Sequence, residues 1–165
     1  MKFIQLSSAI SALTAVLSTS PAWGQFTYTT LDVPGATDTI AFGIDGNNIV
    51  GRYTDSGGSF HGFLFDGTTF LTLDDPSAVT GPGLGTIAQG IRGNTIVGMY
   101  YPSPSWGEPY GFEYNWTTNN WQTLIPPGMA WGTAAHGVSG NNIVGYYADP
   151  YNYGSSTQFG LILSM

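Results

Sequence analysis

The sequence predicts an all-β protein built from three repeats, and three observations support this. First, "GIDGNNIVGRY" from Gly43 returns as "GIRGNTIVGMY" from Gly90 and "GVSGNNIVGYY" from Gly137, each time 47 residues later. Second, the repeated runs are rich in β-branched and aromatic residues and are separated by Gly-Asn pairs, which favour hairpin turns. Third, no stretch after the first 24 residues keeps a helical period of 3.6. Each repeat therefore predicts a four-stranded antiparallel meander.

Four short elements can be aligned in order within a repeat. The first strand is "TIAFGI" from Thr39, and a "DGN" turn joins it to the second strand, "NIVGRY" from Asn48. The third is "HGFLF" from His61, and the fourth is "FLTL" from Phe70, with "WQTL" from Trp121 as its match in the second copy. The alanine and glycine of the first strand are expected on one face, close to the axis where the units meet, because small residues permit close approach of backbones.

The third copy lacks a fourth strand, and a matching segment lies near the start of the chain. The segment "FTYTTLDVPGA", residues 26–36, resembles "TFLTLDDPSA", residues 69–78. We therefore expect this segment to pair beside residues 159–163 and to close a small propeller-like ring around a pseudo-threefold axis, hiding the edge strands. A β-trefoil and a β-prism are the alternatives at this length, and two chains pairing into a six-bladed ring are a further one.

The first 24 residues have the pattern of a secretory signal peptide. Lys2 precedes an apolar run, and the small residues Ala22 and Gly24 flank Trp23 in a pattern typical of a cleavage site. The run is shorter than the roughly 20 residues that span a bilayer. We expect cleavage near Gly24 and a secreted protein, extracellular or periplasmic. The remaining single domain, residues 25–165, divides into units around 37–78, 79–130, and 131–165 plus 25–36.

Composition excludes several partners and chemistries. The chain has no cysteine, so it has no thiolate for catalysis or zinc binding. After the signal peptide, Arg52 and Arg92 are the only cationic residues beside ten carboxylates. A phosphate backbone needs several cationic contacts, so nucleic acid is not an expected partner, and anionic membranes are disfavoured.

Catalytic groups are sparse in the repeats. His61 aligns with Tyr110 and Phe159, and His136 aligns with Phe42 and Gln89, so neither histidine belongs to a repeated site. No nucleophile elbow and no calcium loop is present. We predict no catalytic residue, no metal and no cofactor. A polysaccharide-acting hydrolase that uses Glu108 or Asp149 is the least favoured alternative.

The best binding candidates are aromatic. A tyrosine ends the second strand of every copy and runs into a loop that differs between copies and holds aromatic and polar side chains. The candidate ligand-binding residues are Tyr53, Tyr100, Tyr147, Trp106, Tyr151 and Asp149. Such loops on a constant frame suit recognition, so we expect a non-enzymatic binding or interaction module for a glycan or an extracellular protein. The alternatives are tyrosines that pack between units, and a structural, self-associating envelope or matrix protein that forms a homodimer.

The motif "A-x-G-I-x-G-N-x-I-V-G-x-Y", followed by the triplet His61-Gly62-Phe63, resembles the extracellular HAF-repeat family. The resemblance covers essentially the whole mature chain. It implies a secreted bacterial protein with a propeller-like fold, and it supplies no activity. Because Tyr110 and Phe159 replace the histidine in the other copies, the triplet does not form a repeated chemical site.

Overall fold

The computed structural model describes residues 26–105, 107–126, 132–148 and 158–164. Within these ranges the chain forms antiparallel sheets of three or four strands and no helix, which confirms the all-β prediction. It follows that the described ranges contain no helix long and apolar enough to cross a membrane. The predicted signal peptide, residues 1–24, lies outside the described residues.

The described residues form eleven strands, which follow one another in meanders. Sheet I contains β1 (Asp38–Asp45), β2 (Asn48–Thr54), β3 (Phe60–Phe65) and β4 (Phe70–Leu73). Sheet II contains β5 (Thr86–Arg92), β6 (Thr95–Tyr100), β7 (Tyr110–Asn115) and β8 (Asn120–Leu124). Sheet III contains β9 (Thr133–Ser139), β10 (Asn142–Ala148) and β11 (Gln158–Ser164).

The first hairpin of each sheet turns at a glycine. Gly46, Gly93 and Gly140 adopt φ of +61°, +54° and +55°, a left-handed conformation that glycine reaches without steric cost. Each glycine and the residue after it form the two-residue connection between paired strands. The predicted Gly-Asn turns are therefore confirmed.

A β-bulge interrupts the first strand of each of the three sheets. Ala41 pairs with Gly51 and Gly43 pairs with Val50, so Phe42 has no partner of its own. The same shift lies between Ala88 and Gly90 and between Ala135 and Gly137, at Gln89 and His136. Because two residues then oppose one, the alternation of faces resets. Ala41 and Gly43 therefore lie on opposite faces of the sheet, and the expectation that they share one face is wrong.

The core lies between stacked sheets. β5 packs across β1, β2 and β3, and β9 packs across all of β5, β6, β7 and β8. One apolar cluster joins Val50, Leu64 and Leu73 of sheet I to Ala88, Ile91, Ile96, Tyr100, Phe112 and Tyr114 of sheet II. A second cluster joins Val97 and Leu124 of sheet II to Ala135 and Ile143 of sheet III. Each sheet therefore covers the next face to face.

The predicted closure by the N-terminal segment is wrong in this structure. Residues 26–33 form no strand, and Phe26 and Tyr28 are 82% and 91% exposed. Within the described residues, sheet III has three strands, and no strand pair joins sheets I and III in extensive packing. The segment leads into β1, which lies across sheet II from β11, so it is held away from that edge. Within the described residues the strand pairing shows neither a closed ring nor a barrel, so the propeller, trefoil and prism predictions are not confirmed.

Candidate functional site

In the part of the chain that the structure describes, the face of sheet I that points away from sheet II is uncovered. We call it the head face and define it by Ala41, Ile44 and Ile49. Ile44 is 68% exposed, whereas Ile91, its equivalent in sheet II, is 7% exposed because it packs on sheet I. Ala41 is exposed as well, and its equivalent Ala88 is fully buried. The head face encloses a shallow hollow of about 280 Å³ lined by Ala41, Phe42, Gly43, Ile44 and Ile49.

The opposite end of the array has a matching surface that no other described segment covers. We call it the tail face and define it by Val144, Gly160 and Ile162 of sheet III. Val144 pairs with Ile162 across β10 and β11, and the two are 46% and 72% exposed. Their equivalents in sheet I, Val50 and Leu64, are 0% and 3% exposed beneath sheet II. The two ends therefore expose positions that are buried wherever a neighbouring sheet is present.

Glycines show the same difference at atomic scale. A Cβ on Gly62 would lie 2.7 Å from the Leu73 carbonyl oxygen and 3.5 Å from the Ala88 nitrogen of sheet II. A Cβ on Gly111 would lie 3.4 Å from the Ala135 nitrogen of sheet III. Gly160 is the equivalent residue on the tail face, and a Cβ there meets no atom within 4 Å.

The three tyrosines of the predicted binding column lie against other side chains. Tyr53 stacks on His61 at 5.0 Å between ring centroids, and Tyr147 stacks on Phe159 at 5.3 Å. Tyr100 is 3% exposed and packs edge-on against Tyr110 at 6.1 Å. These contacts leave Tyr100 without a free ring face for a sugar. Tyr100 also belongs to the apolar cluster between sheets I and II, in agreement with the alternative that the tyrosines pack between units.

The hydroxyl groups of two of these tyrosines link the second strand to the fourth. Tyr53 Oη lies 3.1 Å from Thr72 Oγ1, and Tyr100 Oη lies 3.1 Å from Thr123 Oγ1. Desolvation raises the pKa of Tyr100, so its hydroxyl stays protonated and able to donate. The remaining predicted binding residues, Trp106, Asp149 and Tyr151, lie outside the described residues.

His61 is held between two carboxylates at the end of β3. Its Nδ1 lies 3.0 Å from Asp74 Oδ1, and its Nε2 lies 3.4 Å from Asp55 Oδ2. The Ser59 amide donates to Asp55 Oδ1 at 2.8 Å, and this bond is the main reason why the pKa of Asp55 lies below its usual value. Both ring nitrogens of His61 therefore already face carboxylates. In the described ranges, no group of three or more His, Asp or Glu side chains has an arrangement that could hold a metal ion.

Both arginines are paired. Arg52 lies 3.2 Å from Asp38 and 4.3 Å above the Phe60 ring. Arg92 lies 3.1 Å from Asp45, whose second oxygen accepts the Gly93 amide at 2.6 Å. The Gly93 hydrogen bond and Arg92 lower the pKa of Asp45. This contact joins the first hairpins of sheets I and II.

Glu113 lies in a setting that its sequence position does not reveal. It is half-buried on β7 and lies in a groove of about 400 Å³ between sheets II and III. The lining residues are Glu113, Gln122, Leu124, Ile143, Leu163 and Ser164. Burial raises the pKa of the Glu113 carboxyl. From the sequence alone, its position between Phe112 and Tyr114 predicts a solvated side chain on the face opposite the core. That prediction is wrong because sheet III covers this face. The sequence contained a signal for burial here, because the apolar residues Leu64 and Ile162 occupy the equivalent positions of sheets I and III.

Replacing Glu113 with leucine, the residue at the equivalent position of sheet I, is expected to stabilise the fold. The change removes a partly desolvated carboxylate, and we expect a gain of about 0.5–1 kcal/mol at neutral pH, small because solvent still screens the charge. Burying the ionised carboxylate of Glu113 lowers the stability of the fold. Because the folded-state pKa is raised, this loss is complete at pH values above the folded-state pKa and absent below the unfolded-state pKa near 4.3. The gain in urea unfolding should therefore shrink as the pH falls towards 4. Glu108→Leu, at an exposed glutamate, is the control, and an equal gain there would contradict the account.

Comparisons with protein-family models, with curated proteins and with solved structures found no match to this chain. The likeness to the extracellular HAF-repeat family therefore depends on the sequence motif alone. The functional argument depends on the geometry described above.

Proposed function

We propose that this protein is a non-enzymatic interaction module that works outside the cytoplasm and binds a protein partner through its uncovered head and tail faces. One observation carries the proposal: Ile44 is 68% exposed where the equivalent Ile91 is 7% exposed. Apolar side chains that are buried at internal positions of a repeat array and exposed at its ends mark an interaction surface.

The three carboxylates whose pKa is lowered support a non-enzymatic role, because each of them accepts hydrogen bonds from the backbone of the fold. Asp66 accepts the amides of Thr68 and Thr69 at 2.8 and 2.7 Å in the β3–β4 turn, and these bonds lower its pKa. Asp45 and Asp55 accept backbone amides as well. Groups already satisfied in this way are poorly placed to transfer protons to a substrate.

A small amphipathic ligand in the Glu113 groove is the second candidate function. The groove combines apolar walls from Leu124, Ile143 and Leu163 with one half-buried carboxylate. This combination is typical of sites that bind small molecules with a single cationic group. The proposal that the protein binds a glycan is supported by the sequence alone, through the variable aromatic and polar segments that contain Trp106 and Tyr151.

Site-specific photo-crosslinking in the exporting cell tests the proposed function. A photoreactive amino acid at position 44 or 162 should form a crosslink to protein, because both side chains lie on uncovered apolar faces. The same amino acid at Thr118, an exposed turn position between β7 and β8, is the matched control and should give none. Mass spectrometry identifies the attached chain. Absence of any protein adduct at 44 and 162 would remove the proposal.

A further inference from the structure

We propose that the partner is a second copy of this chain, docked head to tail, so that the tail face of one copy receives the head face of the next. This inference rests on the proposed function and names its partner. The argument begins from the contact between sheets I and II, which the chain already makes within itself.

Internal contacts define which residues meet. At the contact between sheets I and II, Val50 and Leu64 of the first sheet face Ala88, Ile91 and Ile96 of the second. Across the next contact, Val97 faces Ala135 and Ile143. The tail face presents Val144 and Ile162 at the positions of the first set. The head face presents Ala41, Ile44 and Ile49 at the positions of the second set. The two ends are therefore complementary in the same sense as two neighbouring sheets.

Space and charge agree with this register. Gly62 and Gly111 lie against the first-strand alanines Ala88 and Ala135 of the following sheet. Gly160 has open space above it, and Ala41 is exposed. When two copies meet, Ala41 of one copy can lie against Gly160 of the other in the same way. None of the residues that define the two faces is charged, so bringing these residues together buries no ion. Like Ile91 and Ala88, the covered side chains would lose their contact with water, which favours association.

The N-terminal segment fits the same arrangement. β4 and β8 each lie beside the third strand of their sheet and lead into the first strand of the following sheet. Residues 26–36 resemble β4 and its turn, and they lead into β1 in the same way. When β1 of one copy packs on sheet III of another, this segment reaches the free edge of β11. Strand addition there supplies the missing fourth strand of sheet III.

Two side chains define the register of the added strand. Thr30 and Leu31 align with Thr72 and Leu73 of β4, and with Thr123 and Leu124 of β8. Thr72 and Thr123 bond the tyrosine that ends the second strand of their sheet. In the docked pair, Thr30 of one copy meets Tyr147 of the other. Leu31 then lies on the tail face near Ile162, just as Leu73 lies in one apolar cluster with Leu64 of its own sheet.

A contact between two different faces either closes into a ring or continues as a filament. Two copies supply six sheets, a number within the range of closed sheet rings. We therefore expect a dimer in which each copy contributes one head and one tail to each of two equal contacts.

Complementing variants test the docking mode in the purified mature chain by sedimentation velocity and native mass spectrometry. Ile44→Asp blocks the head and Ile162→Asp blocks the tail. Each variant alone places a carboxylate in both contacts of the ring, so dimerisation should weaken by roughly 100-fold or more. An equimolar mixture restores one intact contact, so a 1:1 heterodimer should reappear. Leu71→Asp, at a 49% exposed leucine on neither terminal face, is the control and should dimerise like the parent chain.

Other outcomes separate this inference from the proposed function. A parent chain that stays monomeric at high concentration overturns the second-copy inference, yet crosslinks at position 44 to a different protein would still support the module. A dimer that resists one of the two variants points to like-face pairing and also overturns the inference. Hydrogen exchange gives an independent measurement: residues 28–31 should be protected in the dimer, and fast exchange there would remove the strand-addition step.

Discussion

Replacing Phe112 with alanine is expected to lower the free energy of unfolding by about 3–5 kcal/mol. Phe112 is fully buried on β7 and belongs to the cluster between sheets I and II, where its ring lies 5.0 Å from that of Trp121. Its loss leaves a cavity in a region that strands of two sheets hold rigidly, so little collapse can compensate for it. Urea unfolding followed by tryptophan fluorescence measures the change.

Phe42→Ala is the matched control for this prediction. Phe42 is also a phenylalanine on a strand, but it is 47% exposed at a bulge on the outer sheet. Its replacement is expected to cost about 1 kcal/mol or less. Similar losses for the two variants would show that the contact between sheets I and II is not the principal core.

Gly62→Val and Gly160→Val are expected to have opposite effects on the free energy of unfolding of the monomer. At Gly62 the added Cβ would lie 2.7 Å from the Leu73 carbonyl oxygen and 3.3 Å from Leu73 Cβ, so β4 must shift. We expect a loss of about 2–3 kcal/mol from this overpacking. At Gly160 the Cβ meets open space, and valine suits a strand better than glycine does, so stability should stay equal or rise by up to about 1 kcal/mol.

Thermal and urea unfolding at protein concentrations that favour the monomer measure this pair of variants. The same Gly160→Val change should weaken dimerisation, because the valine side chain would fill the space that Ala41 of a second copy needs. A large loss of monomer stability at Gly160 would mean that another part of the chain covers the tail face.

Local features of the fold were predictable from the sequence because they depend on neighbouring residues. Gly46, Gly93 and Gly140 mark two-residue hairpin turns, and the alternation of apolar residues marks the strands that these turns connect. The bulge was not predictable in the same way. The equivalent residues Phe42, Gln89 and His136 share no chemistry, so nothing in their side chains indicates the extra backbone residue.

The environment of each face could not be predicted from one repeat, because it depends on what packs on that face. Ile44 and Ile91 lie in nearly the same local sequence, yet one is exposed and the other is buried. Glu113 was expected in solvent for the same reason, although sheet III covers it. The sequence match of residues 26–36 to β4 correctly suggested that sheet III lacks a fourth strand, but it could not show that residues 26–33 form no strand in the single chain.

Hydrogen exchange at residues 26–31 in the chain diluted to a monomer tests the central claim most directly, because an open array leaves this segment unpaired. We expect its amides to exchange at the rate of an unstructured peptide, while those of β6 and β7 are strongly protected. Strong protection of residues 28–31 in a verified monomer would contradict the account, because it would mean that each chain closes its own ring.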